Sequence, residues 1–369
     1  MGSGLAFRLR PLRLLLAQML CVSLLAAPGL VWAEALTWDA KQTFSENTTL
    51  ADDVVLVGEV EIEVSRGTLT LGGAVTGEGS IRKTGAGMLV LAHSGNTFAP
   101  ASGAAISVDE GILQADAPGA FGSGAVSCGW QGIVRLNADG ATFPNDMTFS
   151  GPDSEPCQLL FVKGATIAGN VAVDGAAGGS GLWVDAGTTT TKTGMVAKFT
   201  GSVNVGDGMI CLATVEDYAF NGPLTCGTLF LNLKNSFSGR QGKATLGSSD
   251  NSIGLISMNG SSLSAAAEGA LGGARYFVRE CQVGASSQEL QLGGYSQSVR
   301  ALDFGAGIQI GDGATYARLS TSSGSPVLTV TGDGESAVTR CWFPNANVQL
   351  KMAVDVAKYP AFVQTFSGP

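Results

Sequence analysis

The chain has 369 residues, of which 53 are glycine, 45 % are apolar and only 14 % are charged. That apolar share is enough to build a core, which excludes an intrinsically disordered chain. Lys and Arg total 21 against 30 Asp and Glu, for a net charge of −9, and there is one histidine. The charge excludes a nucleic-acid binder that needs a basic face, and the lone histidine excludes His-clustered metal sites and most His-based catalysis.

Residues 1–33 read as a cleaved signal peptide. Arg8, Arg10 and Arg13 form a basic start, Leu14 to Ala27 is apolar apart from Gln18 and Ser23, and Pro28-Gly29 breaks the run. Val31-Trp32-Ala33 places small residues around a cut before Glu34, and Ala33-Glu34-Ala35 offers a second cut. The apolar run is short for a spanning helix, which favours cleavage over a retained signal anchor. Gln18-Met19-Leu20 lacks the small residues that precede a lipidated cysteine at Cys21. Removal of three bases and no acid leaves 18 bases, 30 acids and a charge of −12 on the mature region, 34–369. No later segment has the length of a membrane helix, so export to a secreted or cell-surface location is expected.

After residue 36, short alternating apolar runs recur between Gly, Ser, Asn, Asp and Thr, the signature of strands. Val60, Ile62 and Val64 alternate with Glu59, Glu61 and Glu63, giving one apolar and one acidic face. Leu69 and Leu71, Leu89 and Leu91, Ile106, Val108 and Ile112 follow, then Val171 and Val173, Val203 and Val205, and Ile308 and Ile310. Only Ser264 to Leu271 and Asn347 to Ala357 show weak helical spacing. The fold class is all-β. Glycine pairs such as Gly72-Gly73, Gly178-Gly179 and Gly293-Gly294 suit the corners of a β-solenoid better than the hairpins of a sandwich or barrel, whose Asn-Gly signal occurs only at Asn221-Gly222 and Asn259-Gly260. With about 20 to 25 residues per coil, roughly 14 to 16 coils are expected, about 70 Å in all at about 4.8 Å each.

Internal similarity supports a solenoid. Gly87-Met88-Leu89-Val90-Leu91, Asn96-Thr97-Phe98 and the turn Ala115 to Gly122 return as Gly227-Thr228-Leu229-Phe230-Leu231, Asn235-Ser236-Phe237 and Ala265 to Gly272. The second copy carries about 11 extra residues, and a third start is read at Thr365-Phe366-Ser367-Gly368. Gly79-Ser80-Ile81-Arg82-Lys83-Thr84-Gly85-Ala86-Gly87-Met88-Leu89-Val90-Leu91, with Ser94 to Phe98, Gly111-Ile112-Leu113 and Phe121 to Gly124, resembles the autotransporter-associated β-strand repeat. Leu36-Thr37-Trp38-Asp39 resembles the start of such passengers. The first copy, 68–127, matches specifically and the second, 224–274, is degenerate. The resemblance implies a right-handed parallel β-helix on the surface of a Gram-negative-type bacterium, with an outer-membrane translocator barrel if the full-length chain continues. No such barrel follows here, so the chain is read either as a piece of a longer protein or as a barrel-less secreted relative.

Candidate chemistry is sparse. Six cysteines remain after cleavage: Cys128, Cys157, Cys211, Cys226, Cys281 and Cys341. Packing as buried thiols is the main expectation, and the first choice for a disulfide is the pair closest in sequence, Cys211 and Cys226. His93 sits in a loop position of the repeat. Gly239 to Ala244 lacks a P-loop's glycine and its Ser or Thr, and Gly305-x-Gly307 lacks dinucleotide spacing. Asp52-Asp53 and the Gly-Asp-Gly triplets at 206–208, 311–313 and 332–334 read as turns, and Asn47-Thr48-Thr49 as a polar turn rather than a glycosylation site. Arg82-Lys83 is too short for a basic patch, while Trp130, Trp183 and Trp342 are candidates to stack on sugar rings. No catalytic residue, cofactor or metal is assigned. The expected function is a non-enzymatic, adhesive or structural solenoid meeting a surface ligand such as a glycan or another cell. The alternative is a secreted polysaccharide lyase or hydrolase on the same β-helix.

Overall fold

The computed structural model describes residues 35–152, 155–174, 181–186, 194–214, 216–233, 241–278, 288–303, 317–332 and 349–352. All lie in one unit, 35–369, and their regular elements are strands alone. The strands pair in parallel with their counterparts one turn later, which makes a β-solenoid with twelve successive rungs described on one sheet, from Thr48–Leu50 to Ala301–Asp303. The number of coils expected from length takes a uniform spacing of about 20 to 25 residues per coil. Successive rungs are instead 19 residues apart at Leu212 to Leu231 and 28 apart at Val184 to Leu212.

Each turn has up to three strand arms. In the second turn the first arm is Glu59–Val64, the second Thr68–Leu71 and the third Val75–Gly77. In later turns the first two sheet arms fuse into one bent strand, as in Ile106–Ala115, Val126–Leu136 and Leu224–Asn232. The third arm forms its own sheet through Thr142–Phe143, Ala165–Ile167, Val196–Phe199, Asp217–Phe220 and Lys243–Leu246.

Alternation decides what enters the core. Leu69, Leu89, Leu113, Val134, Leu159, Val184, Leu212, Leu231 and Met258 form one buried column running from turn to turn. On the third arm Phe143, Ile167, Phe199, Phe220 and Leu246 form another. Phe199 stacks on Phe220 at 4.8 Å between centroids and meets Phe161 edge-on at 5.7 Å, geometries that aromatic rings prefer. One expected inward residue faces out. The ladder shifts register between Val108 and Glu110, and this bulge turns Ile112 to the outer face, opposite Met88 and Ile133. Of the two weak helix segments, Ser264 belongs to the strand Ser262–Ala265 and Gln349–Met352 is a strand; the rest of 347–357 lies outside the described residues, as do Ile308 and Ile310.

The corner between the first and second arms explains the glycines of the repeat. Gly87, Gly111 and Gly132 precede the paired residues Met88, Ile112 and Ile133 and so stack in one inner column. The first arm of each turn bends across them. A Cβ at Gly87 would lie 2.6 Å from Val64 Cγ1, at Gly111 2.9 Å from Lys83 Nζ, and at Gly132 2.8 Å from Cys128 Sγ. Lys83 therefore points inward and is fully buried. Its Nζ donates to the carbonyls of Thr84 (2.9 Å), Gly85 (2.6 Å) and Glu110 (3.0 Å), one for each ammonium proton. Burial lowers its pKa to about 8, against an opposing pull from Glu110.

Buried amides bind the other corners. Asn96 Oδ1 accepts from Val75 N at 2.8 Å and its Nδ2 donates to Ala120 O at 2.7 Å. Asn251 repeats this with Leu224 N (2.9 Å) and Ala270 O (2.7 Å). Asn251 makes the same kind of bonds at a different corner: it follows Leu246 of the third arm, whereas Asn96 follows Leu91 of the second. Asn235 lies outside the described residues.

Candidate binding face

The outer face of the second arm is unusually apolar for a sheet surface. Met88, Ile112, Ile133, Gln158, Trp183, Cys211 and Phe230 stack in one outward column. Trp183 is 39 % exposed. Beside this column, Trp130 is 46 % exposed, and Met209, two residues before Cys211, is 39 % exposed. Trp130 belongs to the turn of Val126–Leu136, where two residues, Gly129 and Trp130, oppose the single Asp109, and this bulge turns its side chain outward. The next column on this side, Val90, Gln114, Arg135, Leu160, Asp185, Ala213 and Asn232, mixes polar and apolar groups, of which Val90, Gln114 and Ala213 are buried. Flat apolar surfaces edged by hydrogen-bonding groups suit sugar rings or a partner's apolar side chains.

A polar knot lies at the inner edge of this face. Thr214 is the only non-glycine with positive φ among the described residues, at 81°, a conformation that costs a β-branched residue strain. Its Oγ1 accepts from Ala186 N at 3.2 Å and donates to Ala186 O at 2.8 Å, tying two turns together. Tyr218 OH lies 3.3 Å from Thr214 Oγ1, and its single proton is within reach of the carbonyls of Val184 and Ala213. Burial raises the Tyr218 pKa and raises that of Asp185, partly offset by the Thr214 hydroxyl and the Ala186 backbone. Asp185 Oδ1 is buried without a hydrogen bond.

The residues singled out by sequence are scattered. His93 is in a loop, where its Nδ1 accepts from Gly95 N at 3.0 Å. Glu61 and Glu63 hold Lys41 at 2.9 and 2.6 Å, and Arg82 pairs with Asp109 at 2.7 Å. Asn47 and Asp53 accept backbone N–H groups of the next turn, from Thr68 and Ala74. Gly206 turns with φ +57° and donates to Asn204 Oδ1. Trp342, Cys281, Cys341 and the triplet 311–313 lie outside the described residues, as do Asp333 and Gly334.

The cysteine pair chosen by sequence proximity is not bridged: Cys211 and Cys226 are both buried free thiols. The reason is alternation. Cys226 faces the core, whereas Cys211, between the core residues Ile210 and Leu212, faces outward on the opposite side of the sheet. Burial pushes Cys211 up to about 11 and Cys226 up to about 12. Nothing in the spacing of the cysteines marked their faces.

Among the described residues, no three His, Cys, Asp or Glu side chains converge as a metal site, and no helix is long and apolar enough to cross a membrane. The fold and the outward face define a passenger-like parallel β-solenoid, in keeping with the repeat resemblance. Over 166 residues the chain is 32 % identical to the "Adhesin BmaC autotransporter" of Brucella suis biovar 1 (strain 1330), which covers 42 % of this chain. The chain spans only 5 % of that protein's length. No protein-family model matches the chain. No solved structure matches it.

Proposed function

We propose that the chain is an exported β-solenoid, secreted or displayed at the surface of a Gram-negative-type bacterium, with an adhesive and structural role and no catalytic one. Its similarity to an autotransporter adhesin carries this reading. The exposed Trp183 and Met209 on the outer side of the second arm, with the exposed Trp130 at the bulge before that arm, supply a physical means, many weak contacts summed along stacked turns. The ligand is a glycan or another cell's surface. The test displays the chain on a non-adherent bacterium and counts cells retained on glycan-coated and cell-coated surfaces. Retention is expected to fall on the order of tenfold with Trp130→Ser plus Trp183→Ser, at unchanged surface amount and far-ultraviolet circular dichroism. No retention by the parent chain, or equal retention by the variant, overturns the reading.

Asp185 favours a second reading, a carbohydrate-active enzyme on the same solenoid. A carboxyl whose pKa is raised by burial, two residues from an exposed tryptophan, is the arrangement of a general acid beside a sugar platform. It requires the purified chain to release reducing ends or unsaturated products from acidic polysaccharides, with or without calcium, and Asp185→Asn to abolish the release. Absence of products from the parent chain removes this reading.

A further inference from the structure

Two of the described cysteines, both free buried thiols in this structure, lie at neighbouring inner positions of successive turns, and they are not the pair closest in sequence. Cys128 and Cys157 both belong to the core. Cys128 lies on the first arm of its turn and bends over Gly132, with Sγ 2.8 Å from where a Cβ would stand. In parallel register Ile133 pairs with Gln158, so Gly132 and Cys157, the residues just before them, occupy successive rungs of one inner column. Successive rungs are about 4.8 Å apart. The missing side chain at Gly132 is therefore replaced by the Cys128 sulfur, and the next side chain along the column is Cys157. The surroundings agree with this placement. Cys157 Sγ lies 3.5 Å from the Cβ position of Gly151, and Trp130, two residues beyond Cys128, reaches the same point with its own Cβ at 2.8 Å. The two sulfurs also sense each other: burial pushes the Cys128 thiol up to about 12, and the charge on Cys157 adds to the rise.

We propose that Cys128 and Cys157 form a disulfide that staples two successive turns when the chain folds in the presence of a disulfide oxidant such as oxidised glutathione. The thiolate of one cysteine attacks the oxidant's disulfide, forming a mixed disulfide and releasing one reduced glutathione. The second cysteine then attacks the protein sulfur of that bond, giving Cys128–S–S–Cys157 and a second reduced glutathione. Two electrons pass to the oxidant, and the two thiol protons leave with the glutathione pair. Both thiols are buried in the finished fold, so closure belongs to folding; the reduced, folded protein reacts slowly. The bridge is independent of adhesion and of export, because the oxidant can be supplied in the test tube.

The test refolds the full chain in a buffer of oxidised and reduced glutathione, blocks free thiols, digests without reductant and maps linked peptides by mass. The expected product joins the Cys128 peptide to the Cys157 peptide, disappears on reduction, and persists in a Cys211→Ser, Cys226→Ser double variant. Amide exchange around Val134 and Leu159 is expected to be about tenfold or more slower in the oxidised than in the reduced protein, with no such difference in Cys157→Ser. Blocked, unlinked Cys128 and Cys157 in refolded protein with solenoid circular dichroism overturns the proposal. So does linkage of either cysteine to any other.

Discussion

A buried lysine is the costliest residue in this fold to place, and its surroundings show how the chain accommodates it. Lys83 keeps all three ammonium protons on backbone carbonyls of its own and the following turn, which offsets the cost of desolvation. Lys83→Met is expected to destabilise by about 3 kcal/mol, since three buried carbonyls lose their donor, measured by denaturant unfolding. The pH dependence has a defined sign. The folded-state pKa is about 8 against the ordinary 10.5 of a lysine, so between them the unfolded chain holds more protons. The stability of the parent chain relative to Lys83→Met is therefore expected to rise as pH increases through this window. Gly111→Ala tests the space that the lysine needs. At φ +80° its Cβ would meet Gly85 O at 2.4 Å, Gly87 O at 2.5 Å and Lys83 Nζ at 2.9 Å, and a loss of about 3 kcal/mol or more is expected. Gly140→Ala, at φ +67° with open space around it, is expected to cost only about 1 kcal/mol.

At the scale of the element, each turn is tied to the next by a few side chains as well as by the ladder. Asn96→Ala is expected to speed exchange at the Val75 amide, and Asn251→Ala at the Leu224 amide, each with a loss of about 2 kcal/mol. The strands themselves were legible: Val60, Ile62, Leu69, Leu89 and Val171 lie inside because alternation and burial share one period. Two kinds of position were not. Ile112 points outward because a bulge two residues earlier reset the phase, and nothing local in the run announces it. Lys83 reads as a surface base beside Arg82, although the two point to opposite faces. Trp130 and Trp183 were legible as exposed candidates, but the bulge that holds Trp130 depends on a register shift that the sequence does not display.

For the molecule as a whole, contacts reach from one turn to the next, so stability is a sum of turns and interfaces. Phe199→Ala removes the middle of the Phe161–Phe199–Phe220 stack and is expected to cost about 3–5 kcal/mol locally. Amide protection should fall in the strands Cys157–Phe161, Val196–Phe199 and Asp217–Phe220 and stay unchanged in Glu59–Val64 and Met88–Leu91. Uniform loss along the chain would contradict this independence. The same neighbour-only logic governs inheritance. Lys83 and the glycine that makes room for it, Gly111, sit 28 residues apart in different turns. A duplication or exchange that moves a single turn would deliver a lysine above a residue with a side chain, or a vacant glycine with nothing to fill it. The smallest segment that can be copied or transplanted intact is therefore two turns long, and the lysine and glycine should be gained and lost together.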